Sequence, residues 1–345
     1  MPDAAGTDCQ SPAALRHWLL SRVVTEHQSQ RGAVIGSFDP DGRARYAYPE
    51  IAGYYLSWLA SLEESDAAPK MLRTRASAIT QWLSHWLANG HPTRCAMRPE
   101  PDWRNDGLFA FDLAMLLRGL TAAKSAALLP PEAEVLSAEV CALLCRLLDN
   151  RGELSPVLQL RSNLPQRWST QVGAYQAKVG AALLLAGRNL TLPSVLVVSA
   201  HQLLRRCAEE ANEPIHLESP HAALYSLEGL SIGLALGVIG SQTHNDLKRR
   251  LSDLREPLLE GISAGPKAGA FVRHDVVAQW LRLARLHRPE DPLIEDMERF
   301  LCCAIAPGGA MPFAQAPHDQ GACTWAAIFC DQALSAPELT AERLI

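Results

Sequence analysis

Residues 221–233 read His-Ala-Ala-Leu-Tyr-Ser-Leu-Glu-Gly-Leu-Ser-Ile-Gly, an apolar run that opens on histidine and carries His221, Tyr225 and Glu228 at i, i+4 and i+7. That spacing is one face of an α-helix. The apolar remainder calls for burial on all sides, yet the stripe holds a charge of the kind seldom buried without a partner. The same pattern recurs as Gln171, Tyr175, Lys178, as Asp275, Gln279, Arg282 and as Trp325, Phe329, Gln332. Two further runs start near Tyr48-Pro49-Glu50 and Phe111-Asp112, making six, with His274 heading the fifth. Their stripes are expected to face a shared wet cavity rather than a dry core.

Between these runs lie six amphipathic, more charged ones: 12–27, 70–88, 132–148, 193–210, 245–259 and 292–304. Alternation of charged outer and apolar inner helices predicts an all-α fold, an (α/α)6 toroid of about twelve helices filling residues 1–345 as one domain. Alternating β-branched segments are nearly absent apart from pieces such as Ala33–Phe38. Inner-to-outer links are short, whereas outer-to-inner links such as 89–108, 149–170, 261–273 and 306–323 are long. Loops of that length are usually functional. Several share a glycine-and-small-residue texture, which suggests one repeated device. In a closed ring they all return to the face where the inner helices begin, and there the unpaired amides favour anions and polar ligands.

The 345 residues are 48% hydrophobic and 20% charged, enough for a large core, and the net charge of −5 with scattered basic residues offers no footprint for nucleic acid. Nine cysteines, an odd number mostly inside helical runs, read as buried free thiols of a reducing compartment. No CxxC pair or Cys-x-x-His element supports a metal, and no cofactor is implied. Residues 1–10 lack the positive charge of a signal peptide and no later stretch is long and apolar enough to span a bilayer, so a cytoplasmic location is expected.

The expected mouth holds Arg43, Arg45, Tyr46, Tyr48, Glu50, Tyr54, Trp103, Asp112, Trp168, Gln171, His221, Tyr225, His274, Asp275, His318, Asp319 and Trp325. Aromatic rings that cover C–H faces, beside carboxylates, amides and guanidinium groups that meet hydroxyls, suit an oligosaccharide or other sugar-containing ligand. Glu50, Asp112, Glu228 and Asp275 could supply the carboxylate pair of glycoside hydrolysis. Each has a bland alternative: Glu50 as a first-turn carboxylate, Asp275 as a cap, Glu228 as partner of Lys178 or Arg282. His221 or His274 with a tyrosine such as Tyr54, Tyr175 or Tyr225 could instead move a proton α to a uronate carboxylate neutralised by Arg118 or Arg282. Gln171, Gln279 and Trp325 complete the expected ligand contacts.

Tyr48-Pro49-Glu50-Ile51-Ala52-Gly53-Tyr54 resembles the Tyr-Pro-Glu-(small or Thr)-Thr-Gly-Tyr element of bacterial exopolysaccharide and O-antigen biosynthesis proteins of the VpsJ type. Phe111-Asp112 followed by Arg118-Gly119-Leu120 resembles that group's second inner helix, and 221–233, 275–282, Thr324-Trp325 and 332–334 its later ones. Ala52 and Ala114 depart from the pattern. The resemblance implies an α/α toroid, of the general shape shared with terpenoid cyclases, linked to surface-polysaccharide biosynthesis and to assembly proteins as partners. It leaves open hydrolase, lyase and epimerase chemistry. A non-catalytic glycan- or partner-binding module and a prenyl- or terpenoid-binding toroid are the other readings; the Asp-x-Asp-Asp acid of squalene-type cyclases is missing.

Overall fold

The computed structural model describes residues 9–27, 30–62, 69–88, 103–160, 164–210, 220–264, 271–316, 321–335 and 339–344. Six inner helices, α2 (Pro49–Ser61), α4 (Ala110–Ser125), α6 (Gln176–Gly187), α8 (Pro220–Ala235), α11 (His274–His287) and α13 (Thr324–Ser335), each pack on the next, and α13 packs back on α2. Around them run α1 (Pro12–Arg22), α3 (Pro69–Ala88), α5 (Ala133–Cys145), α7 (Ser194–Glu209), the pair α9 (Gln242–Asp253) and α10 (Arg255–Ala264), and α12 (Leu293–Ala304). The expected toroid is therefore present. The outer run expected over 245–259 is two helices, broken at Leu254.

Ring closure is visible side chain by side chain. Trp58 on α2 donates its indole N–H to Asp331 on α13 at 2.8 Å, and Arg16 on α1 reaches the same carboxylate at 3.2 Å. Elsewhere the inner helices approach backbone to backbone through glycine. A Cβ on Gly229 would stand 2.2 Å from the backbone of Ala177 and Lys178, so α8 lies directly on α6 and brings Glu228 beside Lys178.

The described loops carry three two-stranded antiparallel ribbons. β1 (Ile35–Phe38) pairs β2 (Ala44–Ala47), β3 (Gly107–Phe109) pairs β4 (Val157–Gln159), and β5 (Val272–Arg273) pairs β6 (Ala314–Gln315). β2, β3 and β5 each run directly into an inner helix. Phe38 N–H donates to the Ala322 carbonyl at 2.8 Å, which ties the first ribbon to the last loop. At the other end of the ring, Arg118 donates to the Glu342 carbonyl at 3.1 Å, Gln332 to that of Arg343 at 2.6 Å, and Leu344 is buried.

Two expectations change. Cys9 and Cys303 are joined in a disulfide that fixes the segment before α1 to α12, whereas Cys141, Cys145, Cys207, Cys302, Cys323 and Cys330 are free. The inner run expected from Gln171 begins instead at Gln176: Gly173 interrupts it, and the Gln176 side chain accepts the Gly173 N–H at 3.2 Å. No helix among the described residues is long and apolar enough to cross a membrane.

Candidate active site

The starts of the inner helices enclose a cavity of about 350 Å³. Tyr48 and Glu50 come from the first turn of α2, Phe111 and Asp112 from α4, and His221 and Tyr225 from α8. Arg273 and Trp325 come from the edges of α11 and α13, and Trp168 from a 3-10 turn ahead of α6. Tyr46, Trp103, Arg104, Arg167 and Phe313 reach in from the ribbons and loops.

Glu50 and Asp112 occupy equivalent first turns of adjacent helices. Burial, reinforced by the charge of Asp112, raises the Glu50 carboxyl to about 8, although Tyr54, Lys178 and Arg104 pull the other way. Burial likewise raises Asp112 to about 7 against the opposing Tyr48 hydroxyl, which donates to Asp112 Oδ2, and against Arg104. At neutral pH Glu50 therefore keeps its proton while Asp112 is poised to give up its own, so the pair can exchange protons with a ligand.

His221 is pushed down to about 4 by burial and by the Arg273 cation, more than Asp275 and Gln279 recover, so it is a neutral imidazole. Its ring lies 4.2 Å from that of Tyr225 and 6.1 Å from that of Trp168. Trp168 also meets Phe111 and Tyr175 edge-on at 5.9 and 4.9 Å, making one aromatic wall. Arg273 stacks on Phe313 at 4.8 Å, and Phe313 packs on Trp325 at 5.6 Å, making a second one.

Of the residues singled out in sequence, Tyr48, Glu50, Asp112, Trp168, His221, Tyr225 and Trp325 line this cavity, as do Tyr46 and Trp103. The stripe continues below it in a different role. Lys178, Glu228, Gln279 and Arg282 have no exposed surface and pair with one another, Glu228 taking Lys178 at 2.6 Å and Arg282 at 2.5 Å. The expectation of a wet cavity along the whole stripe is therefore corrected: the lower half is a fully buried ion-pair cluster, in which one carboxylate sits between two cations. Burial, with Arg282 and Arg118 nearby, lowers the Lys178 ammonium to about 7 against the pull of Glu228.

Asp275 is also wholly buried behind the lining. It accepts Arg273 at 3.0 and 2.5 Å, Trp325 Nε1 at 2.9 Å and the Val276 N–H at 2.9 Å. Although burial opposes ionisation, Arg273 and His221 hold its carboxyl down to about 2, so it anchors two wall residues as an anion. Tyr54 is buried and donates to the Tyr225 hydroxyl at 3.0 Å. Tyr175 backs Trp168 and donates to the Gln171 carbonyl at 3.1 Å, while the Gln171 side chain is exposed outside the cavity. His274 meets the Pro312 carbonyl through Nδ1 at 2.9 Å and packs on Phe300, away from the cavity. Arg43 and Arg45 are exposed on the first hairpin, and His318 and Asp319 lie outside the described residues.

The arginines expected to neutralise a uronate carboxylate are Arg118 and Arg282. Both sit in the lower cluster, and the cavity's arginines are Arg104, Arg167 and Arg273. A signal for them existed: each adjoins a residue already chosen, as Trp103-Arg104, Arg167-Trp168 and Arg273-His274. Among the described residues no group of three or more His, Cys, Asp or Glu side chains is placed to hold a metal ion.

No protein-family model matches the chain, and no curated protein matches it by sequence. Solved structures do. Cellobiose 2-epimerase from Spirochaeta thermophila is similar with a TM-score of 0.64 at 14% identity, covering 94% of this chain and 95% of that one. Cellobiose 2-epimerase from Bacillus thermoamylovorans gives 0.63 at 8% identity over 94% and 98%. Unsaturated glucuronyl hydrolase from Bacillus sp. GL1 gives 0.61 at 11% identity over 95% and 97%. At such identities the similarity establishes a shared fold and nothing about the reaction.

Proposed function

We propose that the protein is a carbohydrate-processing enzyme that carries out acid–base chemistry on an acidic saccharide. The observation that carries this reading is the pair Glu50 and Asp112, two carboxyls raised by burial on adjacent inner-helix starts, inside a cavity walled by aromatic rings and three arginines. In cleavage of a glycosidic bond, Glu50 gives its proton to the leaving oxygen as the carbon–oxygen bond breaks. Water attacks the anomeric carbon and loses a proton to Asp112, and transfer of that proton to Glu50 restores the starting state. Arg104 and Arg167 supply the positive field for a carboxylate on the sugar, Arg273 being already paired with Asp275. A prenyl ligand would have to bury these arginines against hydrocarbon, which is costly.

A second reading is favoured by one specific feature, the neutral His221 in the same wall. It could remove the proton α to a uronate carboxylate, as lyase or epimerase chemistry requires. Surface-polysaccharide biosynthesis is the proposed setting, supported by the resemblance of the Tyr48–Tyr54 and Phe111–Leu120 elements. That resemblance also supports assembly proteins as partners.

The test is incubation with a panel of acidic and neutral oligosaccharides and analysis of products. Turnover of an acidic member, abolished by Glu50→Gln and by Asp112→Asn with glycan binding retained, is expected. Saturable binding with no turnover of any member would make the protein a glycan-binding module instead.

A further inference from the structure

His221 Nδ1 lies 2.6 Å from Gln279 Oε1. On its far side Gln279 donates through Nε2 to Glu228 Oε2 at 3.3 Å. Glu228 accepts Lys178 Nζ on that same oxygen and Arg282 Nη2 on the other. Arg282 also donates to Gln332 Oε1, and the Gln332 amide donates to the Arg343 carbonyl. One polar chain thus runs from the cavity wall to the C-terminal segment across α8, α11, α6 and α13.

The polarity of this chain is forced. Lysine and arginine only donate, and a carboxylate only accepts. Glu228 must therefore receive the NH₂ side of Gln279, which turns the Gln279 carbonyl toward His221. That oxygen accepts a hydrogen, so the hydrogen sits on Nδ1. Asp275 Oδ2, 3.6 Å from the same nitrogen, is a second acceptor on that side. Reversing the Gln279 amide would set its oxygen against the Glu228 carboxylate, losing that buried hydrogen bond and opposing two acceptors. Nε2 is left as the ring's unprotonated nitrogen.

We propose that Glu228, acting through Gln279, is a positioning residue that locks His221 as the Nδ1–H tautomer and presents Nε2 to the cavity's ligand as a fixed acceptor. What Nε2 then does rests on the saccharide-processing reading; the lock itself does not. Glu228, a catalytic candidate by sequence, acts two side chains away from the cavity.

The test is long-range ¹H–¹⁵N correlation of the His221 imidazole in the full chain at neutral pH. The expected result is a pyrrole-type Nδ1 and a pyridine-type Nε2, and a protonated Nε2 or an even mixture of tautomers overturns the proposal. Gln279→Leu should turn the single tautomer into a mixture, and Gln279→Glu, which keeps an acceptor toward Nδ1, should retain it. Should Gln279→Leu fail to fold, Glu228→Gln reads the same loss, because its amide no longer dictates which way Gln279 points. An unchanged His221 spectrum in a folded variant of either kind also overturns the lock. Where the panel above yields a uronate substrate from which His221 removes a proton, kcat of Gln279→Leu should fall on the order of a hundredfold with KM nearly unchanged. Failure of the panel with the expected spectrum would sink the enzyme reading and leave the lock standing.

Discussion

Gly53 on α2 and Gly119 on α4 touch backbone to backbone: a Cβ on Gly119 would stand 2.2 Å from the Gly53 carbonyl oxygen, and one on Gly53 would stand 2.4 Å from that of Met115. This contact draws the first two inner helices together, so that Glu50 and Asp112, near their starts, share one cavity. Both glycines belong to the two sequence elements that resemble the VpsJ type.

Gly119→Ala should therefore lower stability by about 1–3 kcal/mol through overpacking and pull the two carboxyls apart. Gly240→Ala, with nothing within 4 Å of the added Cβ, is the control. Urea unfolding of both variants measures the difference; equal midpoints would refute the close packing.

Glu50 and Asp112, raised to about 8 and about 7, favour the fold when protonated. Their contribution is complete below the unfolded carboxylate range of about 4 and is lost as pH rises through 7 and 8. Asp275 works with the opposite sign: held at about 2, it stabilises above the unfolded value and loses this as pH falls toward 2. His221, lowered to about 4, stabilises above its unfolded value and loses this as pH falls through 4. Thermal scans against pH should show the Glu50 and Asp112 contribution to Tm declining between about pH 4 and 8 and levelling off above that. Glu50→Gln should flatten that decline and Asp275→Asn the acid side. A decline unchanged in Glu50→Gln would remove Glu50 from this account.

Glu228→Leu leaves Lys178 and Arg282 in a fully buried site without their carboxylate, and should cost about 3–5 kcal/mol. Lys178→Met should cost less, since Arg282 still holds Glu228. Chemical denaturation ranks the two; the reverse order would mean that Lys178 is the main partner.

Trp168 offers a face to any sugar ring, whereas Arg167, exposed at the mouth, offers charge. Trp168→Ala should weaken acidic and neutral saccharides alike, by roughly tenfold for the loss of one aromatic contact. Arg167→Gln should weaken only acidic ones, and less so at high salt. Calorimetric titration at two ionic strengths separates these outcomes, and an equal loss for both ligand types in Arg167→Gln would argue against recognition of charge.

Much of this protein is determined by sequence alone, for a local reason. The 3.6-residue period, the alternation of charged outer with apolar inner runs and the asymmetry of loop lengths are one-dimensional properties, and together they specify the ring and the face that carries its mouth. Tyr48, Glu50, Asp112, His221 and Trp325 were legible because a residue at an inner-helix start must reach the mouth once the ring closes. The depth of the cavity was decided only by tertiary structure. Lys178, Glu228, Gln279 and Arg282 follow the same helical stripe, but they come from three helices, and only their mutual distances reveal that they pair with one another beneath the cavity instead of lining it. Arg273 and Asp275 divide in the same way. Two residues apart in the chain, one lines the cavity and the other lies behind it, because the turn from β5 into α11 points their side chains to different depths.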